Sequence, residues 1–478
     1  MIDVLLVNPR ETGGFFERMP PLGLAYIAAN LEKHGHSVRV VDFDVDNTPL
    51  TKWLEKLQPQ FLGISGTTHT RFESFRLAQE AKEYNREIIT IYGGVHATFT
   101  SVDTLQTVRA IDFVVRGEGE QTMVSLINAA RHRHPLATVP GIAYRDGDEV
   151  RETEPAERIQ DLDSLPKPAF HLLNMEEYAL NMEFVNKKGI SLITSRGCQA
   201  RCVFCSASRM FDYRVTTHSA ARVLDELEFL LDTYGFQGVK IFDSTFTMKR
   251  DHVSAFCAEV MRRQRAFPWE CEIRVGTVDE PLLTQMRDAG CYYVNFGIES
   301  ASEKVLNTMG KGFTVKQAHA LIELCKKVGV KTKIFFSYGH IGETMDDVQQ
   351  TFDFIARHEN NITTVASGAG IRIYPGTYLE EYARMHGLLP ANFRWSLPYD
   401  EPRLAGILQA RSVPLLIQPQ LGYAELEEIA LRIYSKRFAG WTGIRRGMRK
   451  VTDPEKLKKL MQLVKTGIKC RYFARGRR

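Results

Sequence analysis

Ser191-Leu-Ile-Thr-Ser195-Arg-Gly-Cys198-Gln-Ala-Arg-Cys202-Val-Phe-Cys205 is the stretch on which the reading of this chain turns. Its first five residues read as a β-strand. Three thiols then fall within eight residues of loop, close enough in sequence to wrap one small metal centre. A zinc site usually draws on four Cys or His ligands, and no fourth follows nearby. Three thiolates suit three irons of a 4Fe–4S cluster, whose usual complement is four. The fourth iron is then open to a substrate or cofactor. The plain alternative is three buried structural cysteines. Cys257, Cys271, Cys291, Cys325 and Cys470 stand singly, and core packing is the expectation for the four that fall on helices or strands.

Downstream of the cysteines the rhythm of that first strand repeats. Strands are expected at Ser191–Ser195, Gly238–Asp243, Glu270–Val275, Tyr292–Glu299, Lys331–Gly339 and Ile362–Ile371. Helical spacing follows each one, at Ala220–Tyr234, Asp251–Arg263, Glu280–Ala289, Val315–Val328, Met345–Arg357 and Tyr378–His386. Consecutive strand–helix units of this kind fit a partial (β/α)6 TIM barrel over 191–388, with chemistry at the carboxyl ends of its strands.

Upstream, residues 1–140 alternate in the same way. Strands are expected at Ile2–Asn8, Ser37–Asp42, Phe61–Ser65, Glu87–Tyr92 and Ile111–Arg116, with helices at Leu22–His34, Pro49–Lys56 and Thr70–Tyr84. That alternation predicts a doubly wound, Rossmann-like parallel sheet, with ligands beyond the strand ends. The loops there are Asn8–Gly14, Gly66–His69, Gly93–Thr98 and Gly117–Gln121. Residues 141–190 read as a linker whose Asp146-Gly-Asp148 turn suits a hairpin over Tyr144–Glu149. The expected fold class is therefore α/β: a Rossmann-like domain, a partial barrel, and a helical C-terminal region over 389–478 that ends in a basic tail.

The chain has 478 residues, 44% hydrophobic and 25% charged, enough to bury ordinary cores. No run approaches the roughly 18 apolar residues of a spanning helix. The N-terminus carries no basic, apolar leader pattern. Together with eight cysteines, this predicts a reducing, cytoplasmic setting. The net charge of +5 hides an asymmetry. From Lys436 onward fifteen Lys and Arg face only Asp453 and Glu455, a surplus of 13, while residues 1–435 are 8 net negative. Pro454–Lys469 reads as an amphipathic helix with a Lys face, flanked by Phe438, Trp441, Tyr472 and Phe473. Two readings stand: a peripheral contact with the inner face of a membrane, or a helix docked on the barrel with solvated lysines. A nucleic-acid partner is not expected. Asp42-x-Asp44-x-Asp46 begins like a calcium loop, but Asn47 and Trp53 stand where Gly and Glu are needed. Arg131-His-Arg-His134 reads as a solvated face.

The cysteine spacing, with Phe204 before the last thiol, resembles the radical S-adenosylmethionine (SAM) superfamily. The likeness runs on through Phe242-Asp243-Ser244-Thr245-Phe246, Trp269 to Arg274, Asp288-Ala289-Gly290-Cys291 and Phe296-Gly297-Ile298-Glu299-Ser300. It continues through Gly339-His340-Ile341-Gly342-Glu343-Thr344 and Tyr374-Pro375-Gly376-Thr377. Ser244 replaces a frequent acid there, and His340-Ile341 interrupts a familiar Gly-x-Pro. Pro21-Leu22-Gly23-Leu24, Ser65-Gly66-Thr67-Thr68, Gly93-Gly94-Val95-His96-Ala97-Thr98 and Gly117-Glu118-Gly119-Glu120 resemble the cobalamin-binding domain that precedes the barrel in one branch, the class B methyltransferase-like one. The Asp-x-His-x-x-Gly signature is absent, so a lower His ligand to cobalt is not expected. His69 and His96 are placed near the rim.

The resemblance implies three cofactors: a 4Fe–4S cluster on Cys198, Cys202 and Cys205, SAM, and cobalamin. The reduced cluster would cleave SAM to a 5′-deoxyadenosyl radical. Phe204, Asp243, Arg274, Glu299 and Ser337 are the expected SAM contacts, the last four because they stand at strand exits. Ser65, Thr67, Gly93, Gly94, His96 and Glu118 are the expected cobalamin contacts. Three functions follow as alternatives. The first methylates an unactivated carbon of a hydrophobic, lipid-like or natural-product substrate. The second performs radical cyclisation, rearrangement or oxidation without methyl transfer. The third is a non-catalytic corrinoid or iron–sulfur carrier. The enzymatic readings need a low-potential donor such as flavodoxin or ferredoxin.

Overall fold

The computed structural model describes residues 2–11, 18–399 and 413–437. The helix expected at Pro454–Lys469, its flanking aromatics and Cys470 lie outside the described residues. No helix among the described residues is long and apolar enough to cross a membrane.

The first sheet is built from β1 (Val4–Asn8), β2 (Val38–Asp42), β3 (Phe61–Ser65), β4 (Ile89–Gly93), β5 (Phe113–Val115), β6 (Ile142–Asp146) and β7 (Glu149–Glu152). Its order is β2-β1-β3-β4-β5-β6-β7. β1 to β5 are parallel, while β6 and β7 join antiparallel to β5. The hairpin expected inside the linker is thus the edge of this first sheet. β1 shows why the sheet is buried on both sides. Leu5 and Val7 pack with α2 (Leu50–Leu57), α3 (Arg71–Tyr84) and α4 (Val95–Thr107). Val4 and Leu6 pack with α1 (Leu22–Lys33) and α5 (Gly119–His132). A strand covered on both faces carries a continuous apolar run, as Val-Leu-Leu-Val does. The chain leaves β1 for β2 on one side and returns to β3 on the other, so the crevice at their carboxyl ends is the topological switch point. The loops expected at Gly93–Thr98 and Gly117–Gln121 are shorter than predicted, because α4 starts at Val95 and α5 at Gly119.

The second sheet contains β8 (Leu180–Met182), β9 (Lys187–Leu192), β12 (Gly238–Ile241), β13 (Trp269–Glu272), β14 (Cys291–Glu299), β15 (Lys331–Tyr338) and β16 (Thr364–Ala369). The residues between β9 and β12 add a two-stranded ribbon, β10 (Ser195–Arg196) with β11 (Thr216–Thr217). Leaving the ribbon aside, β9, β12, β13, β14, β15 and β16 pair in parallel in that order, and β8 runs antiparallel against β9. This is the curled partial barrel, which among the described residues is left open between β8 and β16. Its helices bury Leu224, Val253, Phe256, Leu283, Met286 and Ile322 against Trp269 and Phe296 in one core. Cys257, Cys271, Cys291 and Cys325 sit in that core as expected. The first barrel strand ends at Leu192, three residues earlier than read, because Ser195 belongs to the ribbon.

Domain contact explains one motif. Gly376, in the Tyr374-Pro-Gly-Thr377 turn, has φ +72°. A Cβ there would lie 2.2 Å from the Phe99 ring of the first domain. Tyr374 Oη pairs with His69 Nε2 at 3.0 Å, so His69 faces the barrel rather than the cleft rim. Further on, the Trp395 N–H donates to Asp103 at 2.7 Å and Arg71 donates to the Trp395 carbonyl at 2.8 Å. Gly376→Ala combines a left-handed backbone with a ring clash. We expect it to lower the unfolding free energy by on the order of 2 kcal/mol or more, read from the urea midpoint.

Candidate active site

The cysteine loop starts where the backbone permits only glycine. Gly197 has φ +92°, and a Cβ there would lie 2.1 Å from the Arg214 carbonyl oxygen. Cys198 follows, buried, with Sγ 3.7 Å from Thr245 Oγ1 and accepting the Ala200 N–H at 3.5 Å. The loop is pinned at its middle. The Val203 N–H donates to the Met309 carbonyl at 3.0 Å, and the Val203 carbonyl accepts from Leu379 N–H at 2.9 Å. Gly310, at φ +66°, leaves the room that the Arg201 carbonyl occupies, 2.6 Å from where a Cβ would stand. Arg274 Nη1 donates to Cys202 Sγ at 3.6 Å. Burial pushes the Cys205 thiol pKa up, as do the neighbouring Cys202 and Cys198, against a hydrogen bond from the Ala207 backbone. Among the described residues no three His, Cys, Asp or Glu side chains converge on a single ion. Three thiols on three separate irons need no such convergence, whereas one zinc, with Zn–S of about 2.3 Å, does. The donor set fits an iron–sulfur cluster.

Beside that loop the barrel gathers Phe204, Arg274, Glu299 and Ser337. The β14–β15 register shifts between Gly297 and Glu299, and Glu299 adopts φ +72°, rare for a residue with a side chain. The bulge curls Glu299 back over Gly297, where a Cβ would meet Glu299 Oε1 at 2.0 Å. Glu299 Oε2 accepts the Ser337 hydroxyl at 2.7 Å, and Oε1 lies 3.6 Å from Lys311 Nζ. With its proton on Glu299, Ser337 accepts from His340 Nε2 at 2.8 Å. His340 is neutral: burial, helped by Lys311, pushes its pKa down to about 3. Its ring centroid is 5.5 Å from that of Phe204. Glu343, pushed up to about 7 by burial, accepts the N–H groups of Gly339 and His340 at 2.6 and 3.0 Å and holds the turn. Lys311 escaped the sequence reading. Its signal was available: a lone Lys between Gly310 and Gly312, both at φ +66°, in the loop system after β14.

Asp243 does not join this group. Its carboxylate accepts Thr194 N–H and Oγ–H at 2.7 and 2.6 Å, and Ser195 N–H and Oγ–H at 3.0 and 2.7 Å. Every strong acceptor direction is used inside the protein, so Asp243 braces the segment ahead of the cysteine loop and has no capacity left for SAM.

A half-open cleft of about 270 Å³ lies between the two domains at the switch point. One wall carries Gly63, Ser65, Gly93, Gly94 and the Gly117–Glu120 loop, and the facing wall carries Arg196, Gly197, Phe242 and Ser244. Gly94 has φ +102°, and a Cβ would approach the Gly66 carbonyl to 2.7 Å. A Cβ at Gly23 or Gly117 would meet nothing within 4 Å, so any side chain there would jut into the cleft. Bare backbone lets a wide, flat group such as a corrin lie close, and the cradle fits cobalamin. Phe242 is 43% exposed and faces this space.

Three expected cobalamin contacts are otherwise engaged. His96 is fully buried, with Nδ1 3.1 Å from Thr68 Oγ1 and its ring edge-on to Trp395. Thr67 is tied into a local turn, its N–H and Oγ1 both engaging Thr70. Glu118 lines the cleft, but its oxygens accept from Arg196 Nη1 at 2.8 Å and Ile159 N–H at 2.9 Å. No sequence rule distinguishes a loop acid that meets a ligand from one that meets a distant Arg.

Residues 15–127 match the B12 binding domain family, and residues 192–355 the Radical SAM superfamily. An uncharacterized methyltransferase of Pyrococcus horikoshii is 35% identical over 400 residues, spanning 81% of this chain and 84% of the relative. The anaerobic magnesium-protoporphyrin IX monomethyl ester cyclase of Rubrivivax gelatinosus is 31% identical over 363 residues, spanning 73% of this chain and 64% of that protein. Among solved structures, the cobalamin-dependent S-adenosylmethionine radical enzyme OxsB, with aqua-cobalamin and S-adenosylmethionine bound, has a TM-score of 0.75 at 18% identity, covering 98% of this chain and 71% of that one. The two domains in this order define a class of enzyme that pairs a 4Fe–4S cluster and SAM with cobalamin. This chain belongs to the radical SAM superfamily, in the branch that carries a B12 binding domain ahead of the barrel.

His340 supplies a pH test. A His with a folded pKa near 3 stays neutral while the unfolded chain protonates it below about 6.5. Its contribution to stability is full above that pH and falls as the pH drops toward 3. We expect His340→Gln to flatten the loss of unfolding free energy between pH 6.5 and 4, measured by urea denaturation.

Proposed function

We propose that the chain methylates a carbon atom of a small hydrophobic substrate, with cobalamin as the methyl carrier. The observation that carries this reading is the shared cleft: the glycine-walled loops and the approach to the cysteine loop face each other across one space. The methyltransferase relative at 35% identity supports it. Phe242, Met210 and Phe211 give the barrel side of the cleft an apolar surface, which suits a substrate of that character. Radical cyclisation without methyl transfer is the second reading, supported by the cyclase relative at 31% identity. Membership of an enzyme superfamily leaves no place for the carrier-protein alternative.

When bound, the reduced cluster supplies the electron that opens SAM to a 5′-deoxyadenosyl radical, and cobalamin supplies the methyl group. The chain does the rest by position. Cys198, Cys202 and Cys205 hold three irons. Arg274, whose Nη1 meets Cys202 Sγ and whose Nη2 meets the Lys311 carbonyl, and the buried ammonium of Lys311 put positive charge beside the cysteine loop for the methionine carboxylate. Glu299 and Ser337 offer acceptors to an ammonium or to ribose hydroxyls, and Phe204 offers a flat apolar face. Ser65, Gly93 and Gly94, joined by Gly117, line the corrin side. A low-potential donor of the flavodoxin or ferredoxin kind would feed the cluster.

Anaerobic reconstitution with iron and cobalt counts tests both cofactor sites together. We expect wild type to release 5′-deoxyadenosine from SAM under dithionite, and Cys202→Ala to lose iron and that product. Full-rate product from the variant would overturn the cluster assignment. Product mass separates the two readings, because methylation adds one CH₂ to the substrate and cyclisation does not.

A further inference from the structure

Arg196 stands one residue ahead of Gly197 and two ahead of Cys198. Its guanidinium reaches across the cleft to the first domain. Nη1 meets Glu118 Oε1 at 2.8 Å and Nη2 meets Glu120 Oε1 at 2.6 Å. The three side chains are 12, 7 and 5% exposed, so the group is almost wholly out of water. Tyr26 lies beneath, with Arg196 5.2 Å from its ring centroid, and Tyr26 Oη pairs with His218 Nε2 at 3.2 Å. His218 Nδ1 in turn pairs with Asp163 at 2.9 Å. One guanidinium faces two carboxylates. The remaining negative charge is met by Arg158, 3.9 Å from Glu118 Oε2, and by the positive end of α5, which starts at Gly119.

The arrangement is directional as well as strong. Both carboxylates belong to Gly117-Glu-Gly-Glu120, a wall of the cobalamin cleft. The Arg belongs to the ribbon that delivers the cysteine loop. Between Arg196 and the first thiol lies only Gly197, whose backbone is clamped against the Arg214 carbonyl. A planar fork that bridges two carboxylates resists both sliding and tilting, which a single ammonium cannot do.

We propose that Arg196 is a positioning residue that sets the separation and angle between the cobalamin and the iron–sulfur cluster. This rests on the two-cofactor reading above. Each cofactor has its own binding residues, so each should load without the fork. What the fork supplies is their mutual alignment, and an error near 1 Å in the placement of reacting groups costs on the order of 10²-fold in rate.

The test uses reconstituted full-length enzyme with hydroxocobalamin, iron and sulfide. Arg196→Lys keeps the charge and loses the fork. Simple removal of the Arg would strand two buried carboxylates and endanger folding. The second variant is therefore Arg196→Met with Glu118→Gln and Glu120→Gln, which removes the charges together. After reduction of the bound hydroxocobalamin to cob(II)alamin and of the cluster by one electron, with a dithionite titration stopped before cob(I)alamin forms, dipolar EPR between cobalt(II) and the reduced cluster reads the distance with no substrate present. We expect one narrow distance in wild type. In both variants we expect wild-type iron and cobalt counts with a shifted or broadened distance. An unchanged narrow distance in fully loaded variants would overturn the proposal, even if their melting temperatures fell. Loss of cobalt or iron from the variants would also overturn it, by making Arg196 a binding residue for that cofactor. Wild type without cobalt would instead sink the two-cofactor reading, and this proposal with it.

Discussion

A buried carboxylate with four donors decides where the chemistry of this protein can sit. Asp243, at the exit of β12, takes both N–H groups and both hydroxyls of Thr194 and Ser195. Hydrogen bonds to a charged group contribute about 1.5–3 kcal/mol each, and four on one side chain leave the backbone no second arrangement. The segment after β9 is therefore held against the neighbouring strand. The first strand of the ribbon, the Gly197 turn and the three thiols all lie within Ser195–Cys205. The loop that carries the three cysteines is thus anchored by the protein's own hydrogen bonds.

The same economy governs the opposite wall. The switch point between β1 and β3 gives an opening by topology alone. Glycines at 63, 93, 94 and 117 strip that opening to its backbone. Side chains that a loop would ordinarily aim outward are turned inward or sideways: His96 under Trp395, Thr67 into its own turn, Glu118 onto Arg196. The C-terminal region closes the arrangement by resting Trp395 on Asp103 and Arg71. The first domain is thus tied to the barrel by the buried ion pair and to the C-terminal region by hydrogen bonds to Trp395.

Much of this was legible from residue order. The cysteine spacing, the strand–helix alternation and the helices Ala220–Tyr234, Val315–Val328 and Met345–Arg357 coincide with the structure, because local propensity and tertiary packing agree there. Arg274, Glu299 and Ser337, singled out by their place at strand exits, lie near one another beside the cysteine loop. Asp243 occupies the same kind of place and plays another part, since its donors lie 48 and 49 residues away, where no local pattern reports them. Glu118 is deceptive for the same reason, its partner being 78 residues distant. Lys311 went unread because it follows α10 (Glu303–Thr308) instead of a strand. His340 was noticed only as a departure from a familiar motif. Its role depends on a bulge at Glu299, and register shifts leave little trace in single-sequence periodicity.

Among the described residues the barrel does not close: its sheet ends at β16 on one side and at β8, paired to β9, on the other. A sealed cylinder has its radius dictated by strand number and stagger. An unsealed one is free of that rule, and its two end strands can splay or draw in while every existing rung stays intact. The calibre of the chamber at the strand ends is then not fixed by strand number and stagger.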